Sequence, residues 1–326
     1  MKYVYVLVSG DSDCYAEQTY ISMYSLRRFN PGCRIVLATD ESTLKSMDGR
    51  CAGIKDFADE TVLFEVPGNY TLLQRSRHIK TSIRRMIAGD FLYLDCDTLV
   101  LGPLDELEGL AGDVLAVRIQ DRDRRPSDKA DGMLRAYNCA TGAEPDDNHG
   151  ISDYYNGGVI LARDTRGAHL LFDAWHRLWT ESSVRYGFHK DQCALWIANK
   201  QNDNIMQAMD GKYNLQAICP NTALRYLDDC RIFHYLSSAR FLKNFPLKSR
   251  EALERLIDAA PSGGIDEVLD NIKTDYLNGL TIYTDPDALK WTDAPLVSIA
   301  RKLSASFPVL DRAVAALYRL THCCGR

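Results

Sequence analysis

Short apolar runs alternate with segments of helical spacing along the first part of the chain. The segment 16–26 repeats apolar residues at the spacing of one helix face, and the turn-forming stretch 10–13 precedes it. The apolar runs, which predict strands, lie at 3–9, 34–38 and 61–66. Alternation of this kind predicts βαβ units with a parallel sheet, so the expected fold class is α/β.

The most informative strand is Phe91–Leu94, which is apolar at every position and is followed by Asp95 and Asp97. Such a run is typical of a strand buried on both faces. Ligands of open parallel sheets bind beyond the carboxyl ends of the strands, where these carboxylates are expected. Two carboxylates this close repel each other unless a proton or cation intervenes, and a divalent metal would meet that need. Alternatively, they end the strand and cap a turn before Gly102-Pro103.

Two other segments supply candidates for binding a nucleotide. Ser9, Gly10 and Asp11 follow the first strand and can hold a base or ribose, or form a solvated turn; they lack the glycine spacing of a dinucleotide site. The basic helical segment 75–85 precedes the key strand, and Lys80, with Arg77, is the candidate to neutralise phosphate there.

Three later polar residues stand at the ends of predicted elements. Asn156 precedes a strand and can fix a sugar hydroxyl or a backbone turn. Asp191 stands near the start of a helix, where N-capping would explain it equally well. His234 lies in the short predicted strand 231–235 and can be structural or complete a metal site with the two aspartates.

The bulk composition narrows the class of protein. The 326 residues are 46% hydrophobic and 25% charged, as in an ordinary globular protein. The net charge of -5 argues against a nucleic-acid partner. No apolar run spans a bilayer and the first residues lack a signal-peptide pattern, so we expect a cytoplasmic location. The ten cysteines contain no Cys-x-x-Cys pair and are expected to be reduced thiols.

Two segments fall outside this pattern. The polar stretch 120–150 predicts an insertion or lid that recognises an acceptor, or a mobile loop without a role. The basic, amphipathic stretch 296–326 predicts peripheral contact with an anionic membrane face, or docking on the domain or a second subunit. We expect a catalytic domain at 1–246 and a helical C-terminal appendage at 247–326.

Four separated segments, taken in order, resemble the family 8 glycosyltransferases, which are retaining enzymes of the GT-A fold that use nucleotide-diphosphate sugars. The similarity extends over roughly residues 1–246. The matching segments are Asp95-Cys96-Asp97, the Tyr-Asn-Gly-Gly-Val-Ile-Leu run at 155–161, Asp191-Gln192 and His234-Tyr235.

The resemblance implies a mixed, mostly parallel central sheet flanked by helices. It also implies that a hexose moves from a UDP-sugar, UDP-glucose or UDP-galactose first, to a saccharide, glycolipid or other glycoconjugate. Asp95, Asp97 and His234 would hold Mn²⁺, with Mg²⁺ as the alternative, and the ion would stabilise the departing diphosphate. Asp191 and Gln192 would flank the anomeric carbon as catalytic residues. The expected donor-binding residues are Ser9, Gly10, Asp11, Lys80, Asp95, Cys96, Asn156, Gly157 and Arg240.

The sequence departs from the family pattern in its phosphate contacts. After His-Tyr the family has a glycine and then Lys-Pro-Trp, whereas this chain continues with Ser-Ser-Ala-Arg-Phe at 237–241. Arg240 falls at the spacing of that lysine, with Lys243 as a competitor. Lys80 replaces the arginine that usually stands ahead of the metal-binding strand.

Two other functions fit part of the pattern. An apolar strand followed by Asp95-Cys96-Asp97-Thr98 also fits a haloacid-dehalogenase-like phosphatase with Asp95 as nucleophile, although that motif normally lies close to the N-terminus. The third alternative is a catalytically silent transferase fold that serves as a binding module.

Overall fold

The computed structural model describes residues 1–47, 51–119, 128–142, 154–217, 224–235, 247 and 249–279. The chain forms two compact units, Met1–Gly279 and Leu280–Arg326, and the second lies outside the described residues. The strands are β1 (Lys2–Leu7), β2 (Arg34–Thr39), β3 (Glu60–Leu63), β4 (Phe91–Leu94), β5 (Thr98–Val100), β6 (Val114–Arg118), β7 (Tyr155–Ala162), β8 (Met206–Ala208), β9 (Leu215–Gln216) and β10 (Ile232–His234). The α-helices are α1 (Tyr15–Phe29), α2 (Glu41–Ser46), α3 (Ile54–Phe57), α4 (Leu72–Met86), α5 (Asp128–Thr141), α6 (Arg166–Tyr186), α7 (Asp191–Gln201), α8 (Arg250–Asp258) and α9 (Gly264–Gly279).

A seven-stranded sheet forms the centre, in the order β3-β2-β1-β4-β7-β6-β8. Strands β3, β2, β1 and β4 are mutually parallel, β6 and β8 run parallel to each other, and β7 is antiparallel to both of its neighbours. A second, three-stranded sheet has the order β5-β10-β9. The predicted mixed, mostly parallel α/β sheet is therefore confirmed.

Strand β1 shows why the central sheet is buried on both faces. Val4 and Val6 belong to the apolar core on one face, whereas Tyr3, Tyr5 and Leu7 belong to the core on the other. Side chains alternate along a strand, so a run that is apolar at successive positions supplies both cores. Helices must therefore cover the sheet on both sides.

Helices α4, α6 and α7 cover one face, and α1 with the small sheet covers the other. The first core contains Trp175 and Trp179 of α6, both fully buried. Helix α4 starts at a capping box in which Thr71 Oγ1 accepts from the Gln74 amide and Gln74 Oε1 accepts from the Thr71 amide. Ile79 and Ile83 then hold α4 against the sheet.

Several boundaries differ from the sequence-based expectations. Strand β7 begins at Tyr155, so Asn156 lies inside a strand rather than in the approach to one. The polar stretch 120–150 contains helix α5. Helices α8 and α9, which we assigned to the appendage, belong to the first compact unit, where Tyr24 Oη donates to Asp266 Oδ2 at 3.0 Å.

The cysteines and helices of the described residues bear on two further expectations. The seven cysteines within the described part of the chain are all free thiols. Over the same residues, no helix has both the length and the apolarity needed to cross a membrane. The basic stretch 296–326 lies outside the described residues, so membrane contact there stays a prediction.

The imidazoles of His78 and His176 meet edge to face between α4 and α6, with ring centroids 4.8 Å apart. Burial, followed by the neighbouring His78 and Arg85, lowers the pKa of His176 to about 4, with Asp173 opposing the shift. Burial also lowers the pKa of His78. Because the unfolded chain binds these protons more readily, the folded state loses stability as the pH falls from about 6.5 toward 4.

We therefore expect the free energy of unfolding to decrease when the pH is lowered from 7 to 5. His176→Asn should make this decrease smaller. Urea denaturation at the two pH values measures it. His169→Asn, on the exposed part of the same helix, should keep the wild-type loss. An identical pH dependence in wild type and His176→Asn would contradict the assignment.

Candidate active site

The direction of β7 brings distant residues to one edge of the sheet. Because β7 is antiparallel to β4, its first residues lie beside the last residues of β4, and the Asp95 amide donates to the Gly158 carbonyl at 2.7 Å. A pocket of about 460 Å³ opens at this edge. Its walls come from the ends of β1 and β4, the start of β7 and the first turns of α4 and α7. Ligands of open α/β sheets bind in this position.

Three potential metal ligands meet in the pocket. Asp95, Asp97 and His234 each offer a donor atom, and these atoms lie within 4.8 Å of one another. The small sheet brings His234 there, because β10 pairs with β5, the strand that directly follows Asp97. The Tyr235 amide donates to the Asp97 carbonyl at 3.1 Å and fixes this register.

Gly158 leaves space for two of the three potential ligands, His234 and Asp95. An added Cβ there would lie 2.2 Å from His234 Cε1 and 2.9 Å from Asp95 Oδ2, closer than real contacts allow. The set of two carboxylates and one imidazole is one that Mn²⁺ and Mg²⁺ accept. The residues therefore fit a divalent metal.

Two cations from α4 offset the carboxylates of the pocket. Lys80 is buried, with 3% of the residue exposed. Its Nζ lies 3.0 Å from Asp95 Oδ1 and 3.6 Å from Asp191 Oδ2. Arg77 Nε lies 3.2 Å from Asp191 Oδ1. The pocket is lined by four carboxylates, Asp13, Asp95, Asp97 and Asp191, against these two cations, so two negative charges are left for a bound cation to neutralise.

The same neighbours decide the ionisation of Asp95. Burial raises its pKa, but the Lys80 ammonium and, more weakly, His234 and Arg77 outweigh burial and the Asp97 charge, so the pKa falls below its ordinary value. Asp95 is therefore an ionised carboxylate, the form that binds metals.

Cys96 behaves differently from the two aspartates that flank it. Burial, followed by the charges of Asp95 and Asp97, raises the pKa of its thiol to about 12. The protonated Sγ donates to the Val6 carbonyl at 3.3 Å. Cys96 lines the pocket wall as a neutral group and is not one of the three residues whose donor atoms converge there.

Asp191 does not cap helix α7. The residue at the N-cap position is Lys190, and Asp191 is the first helical residue, 8% exposed and paired with Arg77 and Lys80. Its neighbour Gln192 also lines the pocket and donates through Nε2 to the Tyr155 carbonyl at 3.0 Å. The helix start therefore presents both side chains to the pocket.

The structure brings most of the predicted site residues together. Ser9, Gly10 and Asp11 are not among the pocket-lining residues, and Arg240 lies outside the described residues. Those that line the pocket are Lys80, Asp95, Cys96, Asp97, Asn156, Gly157, Asp191, Gln192 and His234.

The loop after β1 contributes a residue that the sequence did not single out. Asp13 lines the pocket and folds the loop, accepting from Ser9 Oγ at 2.6 Å and from the Gly10 amide at 2.8 Å. Only the folded loop decides which of its polar side chains reaches the cavity. Further lining residues without a sequence signal are Tyr15, Leu72, Leu73 and Ser76.

Comparison with solved structures identifies the fold. The glycosyltransferase GlyE of Streptococcus pneumoniae TIGR4 superposes with a TM-score of 0.52 at 18% identity, over 83% of this chain and 64% of the GlyE chain. Galactosyltransferase LgtC, solved with donor and acceptor sugar analogs, superposes with a TM-score of 0.48 at 17% identity, over 80% of this chain and 96% of the LgtC chain. Mouse xyloside xylosyltransferase 1 superposes with a TM-score of 0.47 at 11% identity, over 72% of this chain and 97% of the xylosyltransferase chain. The fold is that of the GT-A glycosyltransferases, a conclusion that rests on the sheet topology and the GlyE superposition.

Sequence comparison adds nothing to this. No family model and no curated protein sequence matches the chain.

The space around two adjacent glycines yields a prediction about stability. Gly158→Ala should lower the free energy of unfolding by about 1–3 kcal/mol, because the new methyl group collides with His234 and Asp95. Gly157→Ala is the matched control, since its Cβ would lie 3.8 Å or more from every neighbour. Urea denaturation compares the two, and equal stabilities would contradict the described packing.

Proposed function

We propose that this protein is a metal-dependent, retaining glycosyltransferase of the family 8 type. It transfers a hexose from a UDP-sugar, with UDP-glucose and UDP-galactose as the first candidates, to a saccharide or glycoconjugate acceptor. The observation that carries the proposal is the convergence of Asp95, Asp97 and His234 beside a buried lysine, in the pocket at the sheet edge of a GT-A fold.

Asp95, Asp97 and His234 are the residues that would hold the metal. When bound, Mn²⁺ or Mg²⁺ neutralises the diphosphate and stabilises the nucleoside diphosphate as it leaves. The ionised state of Asp95 and the excess negative charge of the pocket support a divalent cation there.

The protein's own cations supply the rest of the phosphate site. Lys80 is buried and held by Asp95 and Asp191, so its ammonium is positioned before the donor arrives. Arg77, also on α4, presents a planar guanidinium, which suits phosphate oxygens. Arg240, predicted for the same task, lies outside the described residues.

Asp191 and Gln192 are the proposed catalytic residues. Ion pairs with Arg77 and Lys80 hold the Asp191 side chain inside the pocket, where it can stabilise the positive charge of an oxocarbenium-like anomeric centre. The hydrogen bond from Gln192 to the Tyr155 carbonyl fixes the second side chain against β7. Asn156 and Gly157, the second and third residues of that strand, are the proposed contacts of the donor sugar.

The phosphatase alternative fits the fold less well. Asp95 follows β4, the fourth strand of the chain, and the strand beside it, β7, runs antiparallel. Lys80 Nζ and Tyr93 Oη both donate to Asp95 Oδ1, which ties that oxygen to the protein. A silent binding module remains an outcome that only turnover can exclude.

The first test is turnover of the donor. The purified protein, incubated with UDP-glucose or UDP-galactose and Mn²⁺, should release UDP, and chelation of the metal should stop the release. Where an acceptor is found, proton NMR of the new glycosidic bond should show the anomeric configuration of the donor. UDP release that is unaffected by chelation, or an inverted product, would contradict the proposal.

Asp97→Ala should abolish Mn²⁺-dependent donor binding while the protein stays folded, because the residue follows a strand end rather than packing in the core. Isothermal titration calorimetry with Mn²⁺ and UDP measures the binding, and circular dichroism checks the fold. Asp173→Ala, whose carboxylate pairs with Arg85 on the protein surface, is the matched control. Undiminished binding by Asp97→Ala would exclude it as a metal ligand.

Lys80→Met should weaken UDP affinity in the presence of Mn²⁺ by about 10- to 100-fold, the equivalent of about 1.5–3 kcal/mol for a hydrogen bond to a charged group. Lys45→Met, at an exposed lysine of α2, is the control. Because removing a buried cation also destabilises the fold, Lys80→Arg is tested in parallel and should retain most of the affinity. Wild-type affinity in a folded Lys80→Met protein would remove Lys80 from the phosphate site.

A further inference from the structure

A chain of hydrogen bonds connects the backbone of β7 with His234 behind the ligand cluster. The Gly158 amide donates to Asn156 Oδ1 at 2.8 Å, and Asn214 Nδ2 donates to the same oxygen at 3.0 Å. Asn214 Oδ1 lies 3.0 Å from His234 Nδ1. Asn214 is fully buried and His234 is 1% exposed, so solvent does not compete for these groups.

The direction of every bond in this chain follows from its first member. A backbone amide can only donate, so the Asn156 atom that faces Gly158 must be the carbonyl oxygen. The Asn214 atom that faces this oxygen must then be the NH₂ group, which leaves its oxygen toward His234. An oxygen acceptor at that place requires a proton on His234 Nδ1.

A neutral imidazole carries one proton, so a proton on Nδ1 leaves the lone pair on Nε2. Nε2 lies 3.1 Å from Asp97 Oδ1, an oxygen that can only accept when the carboxylate is ionised. Two lone pairs at this distance repel each other unless a positive charge stands between them. That positive charge is either a proton on Nε2 or a bound metal ion, and because Nδ1 keeps its proton in both cases, Nε2 is the nitrogen that faces the metal site.

We infer that Asn214 is a positioning residue of the metal centre, which fixes the Nδ1-protonated tautomer of His234 and so directs its Nε2 lone pair at the metal site. The inference rests on the proposed function, because it assigns Asn214 a task only if the cluster binds a metal. Hydrogen-bond partners behind ligating histidines act in this way, and losing one typically costs about 10- to 100-fold in metal affinity.

The amide side chain is required because its two ends have opposite tasks. Aspartate at position 214 would still accept from His234 Nδ1, but its second oxygen would face the Asn156 oxygen, which is also an acceptor. Leucine has a similar size and does neither. The two substitutions therefore separate the bond to His234 from the bond to Asn156.

The test measures the His234 tautomer and the metal affinity separately, at one fixed pH. Long-range ¹H–¹⁵N spectra of histidine-labelled protein report which ring nitrogen carries the proton, and the His234 signals are assigned by their loss in His234→Gln. Titration calorimetry with Mn²⁺ alone gives the affinity.

Wild type should show Nδ1-protonated His234. Asn214→Leu should populate the Nε2-protonated tautomer and bind Mn²⁺ about 10- to 100-fold more weakly. Asn214→Asp should keep the wild-type tautomer and lie nearer to wild type in affinity. Asn214→Ala repeats the measurement if the leucine variant does not fold.

Asn30→Leu is the control for removing a buried asparagine. Asn30 makes two side-chain hydrogen bonds with backbone groups at the far end of α1, so its loss should lower stability without changing the tautomer or the Mn²⁺ affinity. An unchanged tautomer and affinity in a folded Asn214→Leu protein would overturn the inference and leave the proposed function intact. A wild-type protein that binds no Mn²⁺ would overturn the metal site itself.

Discussion

Mutual repulsion among three carboxylates at one edge of the sheet is the constraint on which the pocket depends. Asp95 and Asp97 follow β4, and Asp191 begins α7. Placing their negative charges close together costs free energy unless a cation is near. Helix α4 supplies that charge through Lys80 and Arg77. The capping box at its start and its isoleucines against the sheet determine where these cations lie. The electrostatic stability of the pocket therefore depends on the folding and packing of α4.

The remaining negative charge gives the pocket its chemistry. Lys80 and Arg77 act mainly on Asp95 and Asp191, whereas Asp97 faces an imidazole. The Cys96 thiol and the Tyr93 hydroxyl stay protonated, because burial raises the pKa of both. The ionised oxygens and one imidazole are thus the groups left to meet a cation, which is the basis for the proposed metal-dependent transfer.

Two features of the topology assemble these groups. The antiparallel direction of β7 sets Asn156 beside the end of β4, and the pairing of β10 with β5 brings His234 next to Asp97. Gly158 stands where the two arrangements meet and has no side chain to obstruct them. From this junction the hydrogen-bond chain through Asn214 reaches the back of the imidazole. The same packing that closes the core thereby orients the imidazole of the proposed metal site.

The sequence by itself determined the α/β class and strand β4, because a run that is apolar at every position can be satisfied only by burial on both faces. It also singled out Asp95, Asp97 and His234, since polar groups that end apolar strands stand out locally. The tertiary structure decided the rest. Asp191 has the sequence pattern of an N-cap. In the structure it pairs with Arg77, because α4 and α7 pack on the same face of the sheet. Asp13 and Asn214 carry no local signal, because their roles depend on atoms that are distant in sequence and meet only when the sheet edge forms.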